Sequence, residues 1–203
     1  MQKYSINVNS TKPLVIFVLG GPGCGKGTQC AKIKEKFQFE HLSTGDLLRD
    51  ELKSKGEYAP MMETLMKEGK LVPSEILIQI IKKTITNASY INRKILLDGF
   101  PRNLENLTKW DEIIGDLFDV AFLLFFECSV EILEERILER AKTSGRSDDN
   151  LDSFKKRIKT YEEETKPVLQ VFEKRGQVLR ISSENPVEEV FSEVENLFKN
   201  FGF

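Results

Sequence analysis

The stretch Leu14 to Thr28, LVIFVLGGPGCGKGT, sets a wholly apolar run against a glycine-rich turn. The run is rich in β-branched residues and reads as a strand buried on both faces, the kind found in a parallel sheet. The turn carries the spacing G-x-x-x-x-G-K from Gly20 to Lys26. Backbone N–H groups of such a turn, joined to the N-terminus of a helix, form a cradle for phosphate, to which Lys26 adds a mobile cation. Gly27 stands where phosphate loops usually place serine or threonine. A metal contact must then come from the Thr28 hydroxyl, from waters the metal keeps, or from another part of the chain. Cys24 fills the variable position, where a small residue is needed, and a thiolate would be favoured at that helix N-terminus.

Outward from this stretch the pattern repeats. Strands are expected at Leu14–Leu19, Glu40–Leu42, Lys94–Leu97, Val120–Phe126 and Val178–Ile181, with helices at 26–37, 46–55, 61–68, 74–87, 103–114, 130–142, 151–175 and 186–200. Strands alternating with helices imply parallel β-α-β units with right-handed crossovers. The expected fold class is α/β, a three-layer sandwich around a parallel five-stranded sheet. Two segments interrupt the alternation. Residues 43–72 hold only helices and turns and read as a helical flap inserted between two strands. Residues 141–151, around the polar run AKTSGRSDDN, read as a short mobile lid.

A chain of 203 residues is long enough for one sizeable core, so a single domain spanning 1–203 is expected. With 40% hydrophobic and 31% charged residues it is neither disordered nor membrane-embedded in composition. A net charge of −2 argues against broad binding to nucleic acid, so any basic site must be concentrated. The three cysteines, Cys24, Cys30 and Cys128, show no C-x-x-C spacing and fit a reducing compartment. The first 13 residues have no apolar core of a leader, and a cytoplasmic protein, with the nucleus as the alternative, is expected. No His/Asp/Glu cluster supports a metal hydrolase, and the lone histidine, His41, reads as structural.

The form G-x-P-G-x-G-K-G-T resembles the nucleoside monophosphate kinases, and the resemblance runs almost the length of the chain, from FVLGGPG at Phe17 through HLSTGDLLR, LLDGFPRN and SGRSDDN to ENLFKNFGF. It implies a phosphate-loop kinase fold that binds ATP with Mg2+ and a nucleoside monophosphate; because the motifs all lie within one chain a monomer is expected, with a dimer as the alternative. Gly23, Cys24, Gly25, Lys26, Gly27 and Thr28 then fall on the ATP side, with Arg136 and Arg140 beside it. Ser43, Thr44 and Arg49 open the acceptor flap, and Lys70, Leu71 and Val72 meet the acceptor base largely through backbone. Gly99, Phe100, Pro101 and Arg102 carry the second acceptor-phosphate clamp. Arg146 in the lid and Arg157 on the helix beyond it approach the transferring phosphate, with Asp148 and Asp149 either orienting them and touching the metal's water shell or fastening the lid. Lys26, Arg102, Arg140, Arg146 and Arg157 are the expected catalytic set, and Asp98 is expected to hold Mg2+ through water.

Within that family the chain looks most like the short-lid UMP-CMP kinases and next most like short-lid adenylate kinases. Asn106, four residues after Arg102, matches the asparagine with which the former meet a pyrimidine, where adenylate kinases typically have glutamine. Thr44 pulls the other way, because UMP-CMP kinases usually carry alanine there. Its hydroxyl would either hydrogen-bond a purine or cap the helix expected from Asp46. A nucleotide-operated switch fits less well, since the guanine-reading N-K-x-D is absent and a second arginine clamp is present. An inert nucleotide-binding module conflicts with the full set of basic residues.

Overall fold

The computed structural model describes residues 12–87, 93–146 and 148–203. The reading of the amino terminus as leaderless falls mainly on residues 1–11, outside the described residues, as does Ser147 of the lid. Five strands, β1 (Leu14–Gly20), β2 (Glu40–Ser43), β3 (Lys94–Asp98), β4 (Asp119–Glu127) and β5 (Val178–Ser182), form one sheet in the order β2-β3-β1-β4-β5. Every neighbouring pair is parallel. The sheet is that of the expected α/β sandwich, with β1 at its centre.

Nine α-helices are described: α1 (Lys26–Phe37), α2 (Thr44–Lys53), α3 (Ala59–Lys67), α4 (Ser74–Asn87), α5 (Leu104–Ile113), α6 (Val130–Ala141), α7 (Leu151–Thr160), α8 (Lys166–Lys174) and α9 (Val187–Asn200). Side chains alternate along β1 and feed two cores. Val15, Phe17 and Leu19 face the layer holding Ile78, Trp110 and Phe172, whereas Ile16 and Val18 face the layer holding Ile33, Ile137 and Phe198. Phe17 meets Phe100, Trp110 and Phe172 edge-on, at centroid distances of 5.3, 5.2 and 5.9 Å. Each such pair adds about 0.5–1.5 kcal/mol beyond burial alone. Among the described residues no helix is long and apolar enough to cross a membrane.

Two features place the site. The turn after β1 needs backbone that ordinary residues avoid: Gly23 and Gly25 take φ of +93° and +84°, and a Cβ on Gly23 would sit 2.8 Å from the Leu133 carbonyl oxygen. Parallel pairing then brings the carboxyl ends of three strands level, with Asp98 of β3 opposite Val18 of β1 on one side and Ser43 of β2 on the other. The order of strands reverses at β1, so this end of the sheet is where an α/β fold opens its crevice.

Candidate active site

Residues expected to serve two nucleotides line two clefts that meet at the phosphate loop. The first is lined by Lys26, Thr44, Arg49, Lys70, Leu71, Val72, Gly99, Arg102, Asn106 and Arg157, joined by Asp148 and Tyr161. The second is lined by Gly23, Cys24, Gly25, Thr28, Arg136 and Arg140, joined by Gln29, Asn185 and Val187. Five of the residues expected to bind nucleotide line neither cleft. Ser43 accepts from the Asp46 amide at 3.3 Å as the cap of α2, and the Phe100 ring is core. Pro101 is buried beside it. Gly27 faces Asp98, with the carboxylate Oδ2 3.8 Å from where a Cβ would stand. Arg146 reaches across to the flap, its Nη2 3.4 Å from Asp46 Oδ1.

The first cleft gathers cations that are not fully neutralised. Arg102 donates through Nε to the Gly99 carbonyl at 2.8 Å, and Arg157 through Nη1 to Asp148 Oδ2 at 3.0 Å. Burial, and then the charge of Arg157, push the Arg102 guanidinium down to about 10 against the pull of Asp98, so it is still a cation at neutral pH. Burial also depresses Arg157, with Arg49 and Arg140 adding to it and Asp148 opposing it. Cations that unsettle one another in a cleft are stabilised by an incoming polyanion. Lys26 lies at the same end, its ammonium donating to the Gly21 carbonyl at 3.2 Å.

At the second cleft Arg140 is already paired. It donates to Asp149 through Nε at 2.8 Å and Nη2 at 2.5 Å, and Ser144 Oγ donates to the same carboxylate at 2.7 Å. That fork joins α6 to the far side of the lid. Arg136 donates to the carbonyls of Ser183 at 2.6 Å and Glu184 at 3.0 Å, fixing the segment after β5 that walls the cleft.

Three details refine the reading of the sequence, and the first of them corrects it. The helix cap is Ser43, not Thr44: α2 begins two residues earlier than expected, and the buried Thr44 hydroxyl is 3.1 Å from each of the Asp98 and Gly99 carbonyls. A hydroxyl spent on backbone says nothing about a purine. Asn106 is buried and partly committed, its Oδ1 accepting from the Arg102 amide at 3.0 Å and its Nδ2 donating to Ser74 Oγ at 2.8 Å. Lys70 turns outward to Glu68 at 2.8 Å, leaving backbone as its offering to the cleft. A fourth detail concerns metal ligands. No cluster was visible along the chain, yet Cys30, His41 and Asp98 come together, with His41 Nε2 3.2 Å from Asp98 Oδ2.

Sequence reasoning also passed over Asp46, which lies inside HLSTGDLLR but was overshadowed by Arg49. Its Oδ1 accepts from Arg49 Nη2 at 2.5 Å as well as facing Arg146. Thr160 and Thr165 were missed too. Thr160 donates to the Gly69 carbonyl and Thr165 to the Arg102 carbonyl, each at 2.8 Å, tying the flap end and the arginine turn to the helix beyond the lid. No signal in the local sequence announces either contact.

Residues 18–177 match the family described as adenylate kinase. The chain belongs to the adenylate kinase family. That membership makes it a phosphotransferase, and the paired clefts are where a member of the family would seat donor and acceptor. Curated relatives include a UMP-CMP kinase of Mus musculus, 51% identical over 94% of this chain and 100% of its own length. Others are the UMP-CMP kinase of Homo sapiens, 50% identical with the same coverage, and that of Danio rerio, 46% identical over 93% of this chain and 98% of its own.

Proposed function

We propose that the protein transfers the γ-phosphoryl group of ATP reversibly to UMP or CMP, forming UDP or CDP and ADP. The observation that carries the reading is identity at about half of all positions with relatives named UMP-CMP kinases, over their whole length.

In this reading the loop from Gly23 to Thr28 holds the phosphates of ATP through backbone N–H groups, with Lys26 as the mobile cation. Arg49 and Arg102 clamp the acceptor phosphate, and a phosphate oxygen of the acceptor attacks directly, so no covalent nucleophile is needed. Arg140, Arg146 and Arg157 gather around the transferring group, where catalysis is positioning plus neutralisation of spreading charge. The contact of Arg146 with Asp46 and of Thr160 with Gly69 supports closure of flap and lid together, which would keep water from taking the phosphoryl group.

Mg2+ fits this site. Asp98 Oδ1 is buried without a hydrogen-bond partner, and the missing side chain at Gly27 leaves the carboxylate open toward the loop. One carboxylate suits an ion that keeps most of its waters and is held through substrate phosphates, so Asp98 would accept from those waters. Bound there, Mg2+ would supply charge neutralisation on the phosphoryl oxygens. We further propose a cytoplasmic monomer acting in pyrimidine nucleotide synthesis, consistent with three free thiols.

An ADP-coupled assay with UMP, CMP, dCMP, AMP and GMP tests the acceptor. UMP or CMP is expected to give the highest kcat/KM; AMP outpacing both would make the protein an adenylate kinase in activity as well as family.

A further inference from the structure

Cys30 on α1, His41 on β2 and Asp98 on β3 offer a thiol, an imidazole nitrogen and a carboxylate whose ligand atoms all lie within 4.8 Å of one another. We propose that these three residues form an inhibitory binding site for a thiophilic divalent cation, Zn2+ or Cd2+, distinct in chemistry from the nucleotide-borne Mg2+. The gaps of 11 and 57 residues between them match no metal motif, because the ligands come from three separate elements brought level by the parallel sheet.

The geometry suits a tetrahedral ion. Ligand bonds of about 2.0–2.1 Å to nitrogen and oxygen place those two atoms roughly 3.3 Å apart in a tetrahedron. His41 Nε2 and Asp98 Oδ2 are separated by 3.2 Å. A sulfur at about 2.3 Å from the same ion would lie roughly 3.5 Å from each of them, within the 4.8 Å span of the cluster. Asp98 is only 6% exposed, and its Oδ1, the oxygen that does not face His41, has no hydrogen bond. Space at the open side follows from Gly27, which puts no side chain over the carboxylate. His41 is the one partly exposed member of the three, while Asp98 and Cys30 are buried.

Charge balances as well. Cys30 is fully buried, and a metal ion takes cysteine as thiolate, so its thiol proton leaves on binding. Binding releases that proton to solvent: Cys30–SH and M2+ give (Cys30–S–M)+ and H+, with a ring nitrogen of His41 and the carboxylate of Asp98 completing the set. A thiolate, a carboxylate and a divalent cation sum to zero, which is what a buried site tolerates. A fourth position is left for water. Mg2+ would not compete for this set, since it takes oxygen ligands and avoids thiolate. Occupancy removes Asp98 from the water shell of the nucleotide's Mg2+, and that is the inhibitory step, resting on the role proposed for Asp98.

Titration of the purified chain with Cd2+ tests the site through the thiolate-to-cadmium charge-transfer absorption in the ultraviolet. One equivalent is expected to saturate the band in wild type and in a Cys24→Ser, Cys128→Ser double variant, which keeps Cys30 as its only cysteine. Cys30→Ala is expected to lose the band, and His41→Asn to weaken binding by more than the roughly 10–100-fold that loss of an outer-sphere partner costs. Absence of the band in the double variant overturns the site even if Cys30→Ala does not fold. Phosphoryl transfer, followed with whichever acceptor the panel selects, is expected to fall in step with the band and to recover with chelator. Full turnover on the saturated protein would overturn the inhibitory role.

Discussion

Arg146 of the lid and Asp46 of the flap, 100 residues apart in the chain, face one another with Nη2 3.4 Å from Oδ1. The same oxygen accepts from Arg49 at 2.5 Å, so Asp46 couples the lid to the arginine that would grip the acceptor. Burial works to raise the Asp46 carboxyl, but hydrogen bonds from Arg49 and Ser43 and the charges of Arg49 and Arg146 prevail and hold it below the usual value. Because Asp46 is 54% exposed, the pair is worth at most about 1 kcal/mol to stability. Asp46→Asn is therefore expected to unfold at nearly the wild-type urea concentration. Its acceptor KM should rise about fivefold, the factor roughly 1 kcal/mol supplies, with more ADP formed when acceptor is left out. Unchanged KM and unchanged acceptor-independent hydrolysis would show that the bridge has no part in closure.

The Arg140–Asp149 fork is less exposed and carries a pH signature. Burial opposes ionisation of Asp149, yet the hydrogen bonds from Arg140 and Ser144, aided by the charges of Arg140 and Arg157, hold its carboxyl below the ordinary range. A depressed acid stabilises the fold fully above its unfolded value of about 3.9, and the contribution is lost as pH falls through the lower native value. Asp149→Asn should be less stable at neutral pH by somewhat under the roughly 3–5 kcal/mol of a broken buried pair, since Arg140 is partly exposed. Urea unfolding should show the gap between the two proteins constant from neutrality to about pH 5 and closing below about pH 4. A gap that persists unchanged into strong acid would mean the pair adds nothing through charge.

The elements were legible because their signals are local. The apolar strand before the glycine turn, the polar lid and the helix patterns all show in runs of a few residues, and α1 and α4 fall on the expected bounds. The helix read as unbroken over 151–175 is instead α7 and α8 joined by a π-helical stretch at Tyr161–Thr165. Pro167 gives the reason, for it has no N–H to offer the carbonyl of Glu163, and the turn before it widens. What stayed hidden in the site are partners far apart in sequence: His41 with Asp98, Thr44 with the end of β3, Arg146 with Asp46. Each depends on parallel register or on the meeting of flap and lid, and neither leaves a pattern in neighbouring residues.

Arg102 sits where its backbone is fixed independently of its charge. Its carbonyl accepts from Thr165 at 2.8 Å and its amide donates to Asn106 at 3.0 Å. Replacing the side chain should leave that turn in place, so a change in turnover reports on the guanidinium. Arg102→Ala is expected to lose about 10²–10³-fold in kcat, the usual loss for one preorganised donor to developing charge. Arg102→Lys should recover only part, because an ammonium has no planar fork for two phosphate oxygens. Near-normal turnover in Arg102→Ala, measured with folding verified by circular dichroism, would remove Arg102 from the acceptor clamp.

Thr44 and Asn106 pointed to different acceptors in the sequence, and their hydrogen bonds now separate them. Thr44 spends its hydroxyl on the Asp98 and Gly99 carbonyls. Thr44→Ala should cost about 1 kcal/mol of stability, a typical net hydrogen bond, and leave the ratio of UMP to AMP turnover where it was. Asn106 uses Oδ1 and one Nδ2 hydrogen on Arg102 and Ser74, and Ser74 passes its own proton to Glu105 at 2.8 Å. One Nδ2 hydrogen is left over, and Asn106 lines the first cleft, so this is the hydrogen a base would meet. Asn106→Ala strands the Arg102 amide at a cost of roughly 1–3 kcal/mol, and it should also raise KM for UMP and CMP more than for AMP. Measuring all three acceptors in both variants gives the contrast. If the preference moves with Thr44 and not with Asn106, the base is read from the flap rather than from α5.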